Sequence, residues 1–215
     1  MTSEMSTTSW AMLLALGAFH GINPGMGWLF AVALGMQERR RGAVLRALVP
    51  LGAGHALAVA GAVGAALAIG AVIPIDRLRW PMAAALVSLG VMRCFRHLHP
   101  RGIGMRVGMR GLTVWSFLMA TAHGAGLMVV PVFAGMSVAS GGGHMHHMAG
   151  AAGTTAGAAL VATGVHAMSY LAVTAFVALL VFEKVGVGFL RRAWFNVDLL
   201  WAGALVVTGA MTLMM

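Results

Sequence analysis

A long apolar run near the start of the chain contains the sequence FHGINPGMGWLF, residues 19–30. His20 places an ionisable ring inside this run, and Asn23-Pro24-Gly25 interrupts the backbone hydrogen bonding shortly after it. In a bilayer, an unpaired backbone group or an ionisable side chain is costly, because no water is present to solvate it. We therefore expect both the histidine and the break to have partners on neighbouring helices.

The composition is typical of a polytopic membrane protein. Of the 215 residues, 60 % are hydrophobic and 9 % are charged, and the mean hydropathy is +0.90. The formal charge of +9 does not indicate nucleic-acid binding, because the arginines form short clusters between apolar runs. The single cysteine, Cys94, excludes an intramolecular disulfide and a two-cysteine redox relay. The chain carries no nucleotide-binding motif, and we expect no enzymatic activity.

Six apolar runs are near or above the length of about 20 helical residues that crossing the hydrocarbon core needs. Short loops rich in Lys and Arg stay in the cytoplasm, and all 14 basic residues except Arg77 and Arg79 flank the first, third and fifth connections. This predicts a bacterial inner membrane protein with both termini outward. The predicted transmembrane helices cover residues 9–37, 43–72, 80–96, 111–137, 152–182 and 195–214.

Related histidine motifs recur in the two halves of the chain. Each half holds three predicted helices, an odd number, so the second copy must run with the opposite orientation. We predict an all-α integral membrane fold, a single membrane domain over 1–215, built from inverted repeats over about 9–97 and 111–214. In many transporters the substrate binds at such an interface, at mid-depth. The matching histidines are His20 with His123, and His55 with His166.

The four repeated histidines share one predicted depth, about 15 Å from the predicted helix ends and close to the bilayer centre. Neutral imidazole binds Zn, Ni, Co and Cu, and it brings no net charge into lipid. All five carboxylates lie near predicted helix ends or in loops, which disfavours a site for Ca or Mg. The pattern predicts a transition-metal site formed by His20, His55, His123 and His166, although single membrane histidines are often interhelical hydrogen-bonding groups.

Other groups are candidates for lining the same site. Asn23 lies three residues after His20, on the same predicted helical face, and Pro24 is predicted to free a backbone carbonyl one turn back. Ser169 follows a histidine of the fifth predicted helix in the same way, and Met26 could give a thioether to a cuprous ion. The Asn-Pro-Gly break is equally consistent with a plain structural kink.

The outward connection between the fourth and fifth predicted helices carries a second group of candidate ligands. Its sequence indicates a metal-capture loop, and the alternative is a glycine-rich linker with chance histidines. The candidates are His144, Met145, His146, His147 and Met148.

This pattern resembles the lysine-exporter superfamily, in which two inverted three-helix repeats form six-helix carriers, and especially its nickel/cobalt transporter and efflux branches. The segment from His20 to Gly25 is similar to the efflux proteins' His-x-x-x-Pro-Gly element, with Met26 where those proteins have another histidine. The importers' His-x-x-x-x-Asp-His signature is absent. The resemblance implies a carrier of a transition-metal ion, with Cu and Zn open beside Ni and Co.

Three functions are consistent with these observations. The first is a secondary carrier that passes a divalent or soft transition-metal ion by alternating access. The second is a haem protein, because histidines from neighbouring membrane helices can be axial ligands. The third is a non-transporting subunit or assembly factor whose histidines only join helices.

The expected partners are the lipid bilayer and the metal ion, without nucleic acid, and small-residue helix faces could support a homo-oligomer. Nothing in the sequence from His123 to Gly126 reproduces Asn23-Pro24-Gly25. The first helix is therefore a better candidate than the fourth for the mobile or ligand-donating element.

Overall fold

The computed structural model describes residues 7–70, 75–95, 108–139, 148–185 and 197–214. Every regular element in these ranges is a helix, which confirms the predicted all-helical class. A 3-10 turn, Pro24–Met26, follows the first helix, and a π-helical turn, Val181–Val185, extends the seventh. The α-helices are α1 (Thr7–Ile22), α2 (Trp28–Glu38), α3 (Arg41–Gly70), α4 (Ile75–Phe95), α5 (Met109–Ala122), α6 (Ala125–Ala139), α7 (Met148–Leu180) and α8 (Val197–Met214).

Each of the six predicted segments is occupied by one helix or by a broken pair. The first corresponds to α1 and α2, and the fourth to α5 and α6. The third corresponds to α4, which begins five residues earlier than predicted and contains Pro81.

Among the described residues, two helical segments are long and apolar enough to cross a membrane, Arg41–Ile69 and Ala156–Lys184. The pair formed by Met109–Ala122 and Ala125–Val132 would make a third span with a bend of 57°. The length and composition of these segments are compatible with a membrane protein. The count of six spans stays a prediction, because α1 and α2 contain only 16 and 11 residues on either side of their break.

The helix α1 packs along α7 in the same direction. Gly17 lies against the backbone of His166 and Tyr170, and Gly21, one turn later, lies against Tyr170 and Thr174. A side chain at either glycine would collide with the α7 backbone, so the close approach requires glycine. This small-residue face is therefore used within the chain, and a homo-oligomer stays a prediction.

The helix α3 likewise runs in the same direction as α5 and α6. Ser116 of α5 donates a hydrogen bond to the carbonyl of Leu51 at 2.6 Å. Later in both segments, Gly126 of α6, which follows α5, lies against Ala62 of α3. In each half, then, the broken first element packs beside the unbroken second helix of the other half.

The third pair, α4 and α8, is antiparallel. Gly90 of α4 lies against Ala202 and Leu205, and Gly209 of α8 lies against Ala83 and Leu86. Sequence numbers rise along one helix as they fall along the other. The packing is thus reciprocal, because each helix contributes one glycine that contacts the other helix.

Candidate functional site

The first break lies between α1 and α2 and is shaped by an asparagine cap. The helix α1 ends at Ile22, and Asn23 has an extended backbone with φ −66° and ψ 121°. Its side-chain Oδ1 accepts a hydrogen bond from the amide of Gly25 at 2.8 Å. Gly27 has φ 117°, a conformation that only glycine adopts without strain. Asn23 therefore does not continue the helical face of His20, because the helix has already ended.

Carbonyl groups around this break accept hydrogen bonds. We predicted that Pro24 would free the carbonyl of His20, and this is wrong, because the amide of Asn23 donates to it at 3.3 Å. Two further carbonyls receive side-chain donors from α2 and α7. Trp28 Nε1 donates to the carbonyl of Ile22 at 2.9 Å, and the Tyr170 hydroxyl donates to the carbonyl of Met26 at 2.8 Å.

The second break lies between α5 and α6, where the sequence predicted one continuous helix. Here α5 ends at Ala122, and Gly124 has φ 71°. The amide of Gly124 donates to the carbonyl of Thr121 at 3.0 Å. The fourth predicted helix is therefore broken as well, although it lacks an Asn-Pro-Gly sequence. A glycine after His123 lets the chain turn without a proline.

The two histidines beside the breaks make equivalent hydrogen bonds. Nδ1 of His20 lies 2.6 Å from the carbonyl oxygen of Leu16, and Nδ1 of His123 lies 2.8 Å from that of Met119. A carbonyl can only accept, so Nδ1 carries the hydrogen in both rings. In a neutral imidazole the lone pair able to bind a metal is then on Nε2.

Three of the predicted ligands meet in one place, which we call the histidine cluster: His20, His55 and His166. All three are fully buried. The ring centroids of His20 lie 5.5 Å from His55 and 5.1 Å from His166, and those of His55 and His166 are 5.3 Å apart. The helices α1, α3 and α7 each contribute one ring, so the cluster depends on the packing of all three.

A direct hydrogen bond joins His55 to His166. Their Nε2 atoms are 3.2 Å apart, so one ring donates to the other. Two ligand nitrogens on a tetrahedral zinc ion, each at 2.0–2.1 Å, are about 3.3 Å apart. The separation fits a shared metal ion without a large movement of either ring. Nδ1 of His55 is buried and has no hydrogen-bond partner among the described residues.

Within the part of the chain that the structure describes, no three His, Cys, Asp or Glu side chains are already arranged as a metal-binding group. A hydrogen bond already joins the Nε2 atoms of His55 and His166. A metal ion would have to replace the hydrogen that they share, and that hydrogen could move to the unpartnered Nδ1 of His55.

His123 is also buried, with 2 % of its surface exposed, and lies beside the first break. A methyl group added to Gly25 would be 3.9 Å from Cε1 of His123. The second break thus faces the first. The structure groups His20, His55 and His166 by direct ring contacts and places the fourth predicted ligand against the neighbouring loop.

The remaining predicted site residues have different surroundings. The Ser169 hydroxyl donates to the carbonyl of Leu14 at 2.7 Å and so joins α7 to α1. Met26 is buried in an apolar group with Met119 and Met128. The predicted loop ligands His144, Met145, His146 and His147 lie outside the described residues, and Met148 is the first residue of α7.

Tyr170 is a site residue that the sequence analysis missed. It is fully buried, and its ring stacks on that of His55 with centroids 3.9 Å apart and 13° between the ring planes. Two signals were available, since Tyr170 is the only tyrosine in the chain and lies one helical turn after His166.

The carboxylates whose side chains are described lie away from the cluster, at helix ends. Glu38 pairs with Arg40 at 3.0 Å and with Arg46, and Glu183 pairs with Arg41 at 3.3 Å. These pairs are partly exposed, so they contribute little to stability. Among the described side chains, the histidine cluster offers nitrogen donors and no carboxylate.

No protein-family model, curated protein or solved structure matches the chain. The resemblance to the lysine-exporter superfamily stays a prediction made from the motif and the helix pattern. The features of the chain that bear on its function are the histidine cluster and the two breaks.

Proposed function

We propose that the protein is a membrane carrier that passes a transition-metal ion, with Ni, Co, Zn and Cu as candidate substrates, through the histidine cluster. One observation carries this proposal: three buried imidazoles from three helices are in mutual contact, with ring centroids 5.1–5.5 Å apart. Burying such groups costs free energy unless they gain partners. Neutral nitrogen donors suit a borderline or soft metal ion.

Six spans in two inverted repeats are part of this proposal. The packing directions support it: α1 and α7 are parallel, α3 with α5 is parallel, and α4 and α8 are antiparallel. Six spans that cross the membrane alternately would give the same directions. In the proposed repeat, α1 corresponds to α5, and α3 corresponds to α7. The contact between α1 and α7 in one half of the arrangement therefore corresponds to the contact between α5 and α3 in the other.

The two breaks favour a carrier over a purely structural role for the histidines. Discontinuous helices at mid-membrane are a recurrent feature of secondary transporters, where irregular backbone lines the substrate path. Here both breaks adjoin a histidine, and His123 faces Gly25 across the two breaks. The arginine distribution supports outward termini, and a bacterial inner membrane is part of the same proposal.

A haem between the paired histidines is the less favoured alternative. Bis-histidine ligation requires the porphyrin ring to lie between the two imidazoles. His55 and His166 are instead in hydrogen-bond contact at 3.2 Å. A single ion needs much less rearrangement of this pair.

The experiment is metal binding and uptake by protein purified without an affinity tag and reconstituted into liposomes. We compare the wild type with His55→Gln and His166→Gln, and His97→Ala in the third connection serves as the control. We expect both cluster variants to lose more than tenfold in affinity for Zn²⁺, Ni²⁺, Co²⁺ or Cu⁺ and to lose uptake, while the control keeps both.

Unchanged binding and uptake in both cluster variants would contradict the proposal. A Soret band that survives chelation of the wild-type protein would favour the haem alternative instead. Metal binding without any uptake would leave a metal site in a protein that is not a carrier.

A further inference from the structure

Tyr170 contacts both the histidine cluster and the first break. Its ring lies face to face with His55 at a centroid distance of 3.9 Å. Its hydroxyl, at the far end of the same ring, donates to the carbonyl of Met26 at 2.8 Å. Because an aromatic ring is rigid, the positions of these two contacts depend on each other.

Within the part of the chain that the structure describes, the position that corresponds to Tyr170 in the other repeat cannot make this contact. Aligning the sequences of the two repeats at His55 and His166 pairs Val59 with Tyr170, because each lies four residues after its histidine. Both side chains are fully buried. Valine fills space but has no group that can donate a hydrogen bond. A bond equivalent to that between Tyr170 and Met26 therefore cannot form at the second break from this position.

We propose that Tyr170 is a positioning residue that orients His55 through its ring and fixes the first break through its hydroxyl. Removing the hydroxyl frees the carbonyl of Met26 and loosens the 3-10 turn that ends there. Removing the ring also releases His55. One part of the proposal rests on the proposed function: through Tyr170, a metal ion bound at the histidine cluster steadies the first break.

The two contacts can be separated by substitution. Tyr170→Phe keeps the ring and removes only the hydroxyl, whereas Tyr170→Leu removes both contacts. The matched control is Ser169→Ala, because the adjacent Ser169 also donates from α7 to a carbonyl of α1, that of Leu14. The control therefore removes one interhelical hydrogen bond outside the break.

The first measurement uses metal-free, full-length protein in detergent micelles. Hydrogen exchange reports on the amides of residues 25–31, and nitrogen NMR of histidine-labelled protein reports on the His55 ring. We expect Tyr170→Phe to raise exchange in the break about tenfold, as the loss of one buried hydrogen bond would, while the His55 signals stay as in the wild type. Tyr170→Leu should change both readouts, and Ser169→Ala should change neither.

Two results would overturn the proposal. Exchange at residues 25–31 that is equal in Tyr170→Phe and wild type would show that the hydroxyl does not hold the break. His55 signals that are unchanged in Tyr170→Leu would show that the ring does not orient His55.

A second measurement adds saturating Zn²⁺ to wild type and Tyr170→Phe. We expect the ion to slow exchange at residues 25–31 in the wild type, and this slowing to be lost in the variant. Slowing of equal size in both would overturn the coupling. If the wild type binds no metal ion, the proposed function fails, and the metal-free measurement still decides the role of Tyr170.

Discussion

The two helix breaks adjoin equivalent histidines but are held in different ways. At the first break, side chains supply three hydrogen bonds: Asn23 accepts one from Gly25, and Trp28 and Tyr170 each donate one to a backbone carbonyl. At the second, the described bonds are those of the backbone turn, where Gly124 has a positive φ, and the bond from Nδ1 of His123 to the carbonyl of Met119, which matches the one that His20 makes at the first break. We therefore expect equal positions in the repeat to differ in rigidity, with the break that carries proline the more firmly fixed.

The largest difference should appear when each glycine of positive φ receives a side chain. Gly27→Ala places a Cβ at φ 117° and against Leu51, and we expect it to lower the free energy of unfolding by about 3 kcal/mol. Gly124 has φ 71°, a conformation that other residues adopt more readily than the φ of 117° at Gly27. In Gly124→Ala the added Cβ would lie 3.0 Å from a methyl group of Leu205. We expect a loss of about 1–2 kcal/mol.

Unfolding of purified protein in mixed micelles, followed by circular dichroism, measures both values. Equal losses for the two alanine variants would contradict the difference between the breaks. A larger loss for Gly124→Ala would reverse it.

A smaller difference is expected from the side chains that flank the breaks. Asn23→Ala removes the cap of the 3-10 turn, and we expect a loss of about 1 kcal/mol. Thr121→Ala, beside the second break, removes only a bond from its hydroxyl to the carbonyl of Phe117 in the same helix. We expect a change below about 0.5 kcal/mol in the same unfolding measurement. A cost for Thr121→Ala as large as that for Asn23→Ala would show that both breaks depend on side-chain bonds.

Much of the helical pattern was predictable from the sequence, because an apolar run of membrane length has few alternatives to a helix. The meeting of His20, His55 and His166 agreed with the repeated motif. His123 was expected beside them; it lies against Gly25 of the first break and also interacts electrostatically with His20. Its exact placement depends on the bend at the second break, which the sequence did not reveal.

Two features escaped prediction for identifiable reasons. Gly124 has many equivalents among the 30 glycines of the chain, and only tertiary contacts select the one with positive φ. Tyr170 lies in an apolar helix, where an aromatic side chain is usually packing. Asn23 was read as a possible ligand because its spacing from His20 assumes a continuous helix, whereas α1 ends before it.

The most direct test of the central claim is X-ray absorption spectroscopy of the zinc-loaded protein, compared with His166→Gln. We predict imidazole nitrogens at about 2.0–2.1 Å from the metal in the wild type, and loss of the bound metal or of at least one imidazole in the variant. A wild-type spectrum with only oxygen ligands, or an identical spectrum in His166→Gln, would contradict the assignment of metal binding to the histidine cluster.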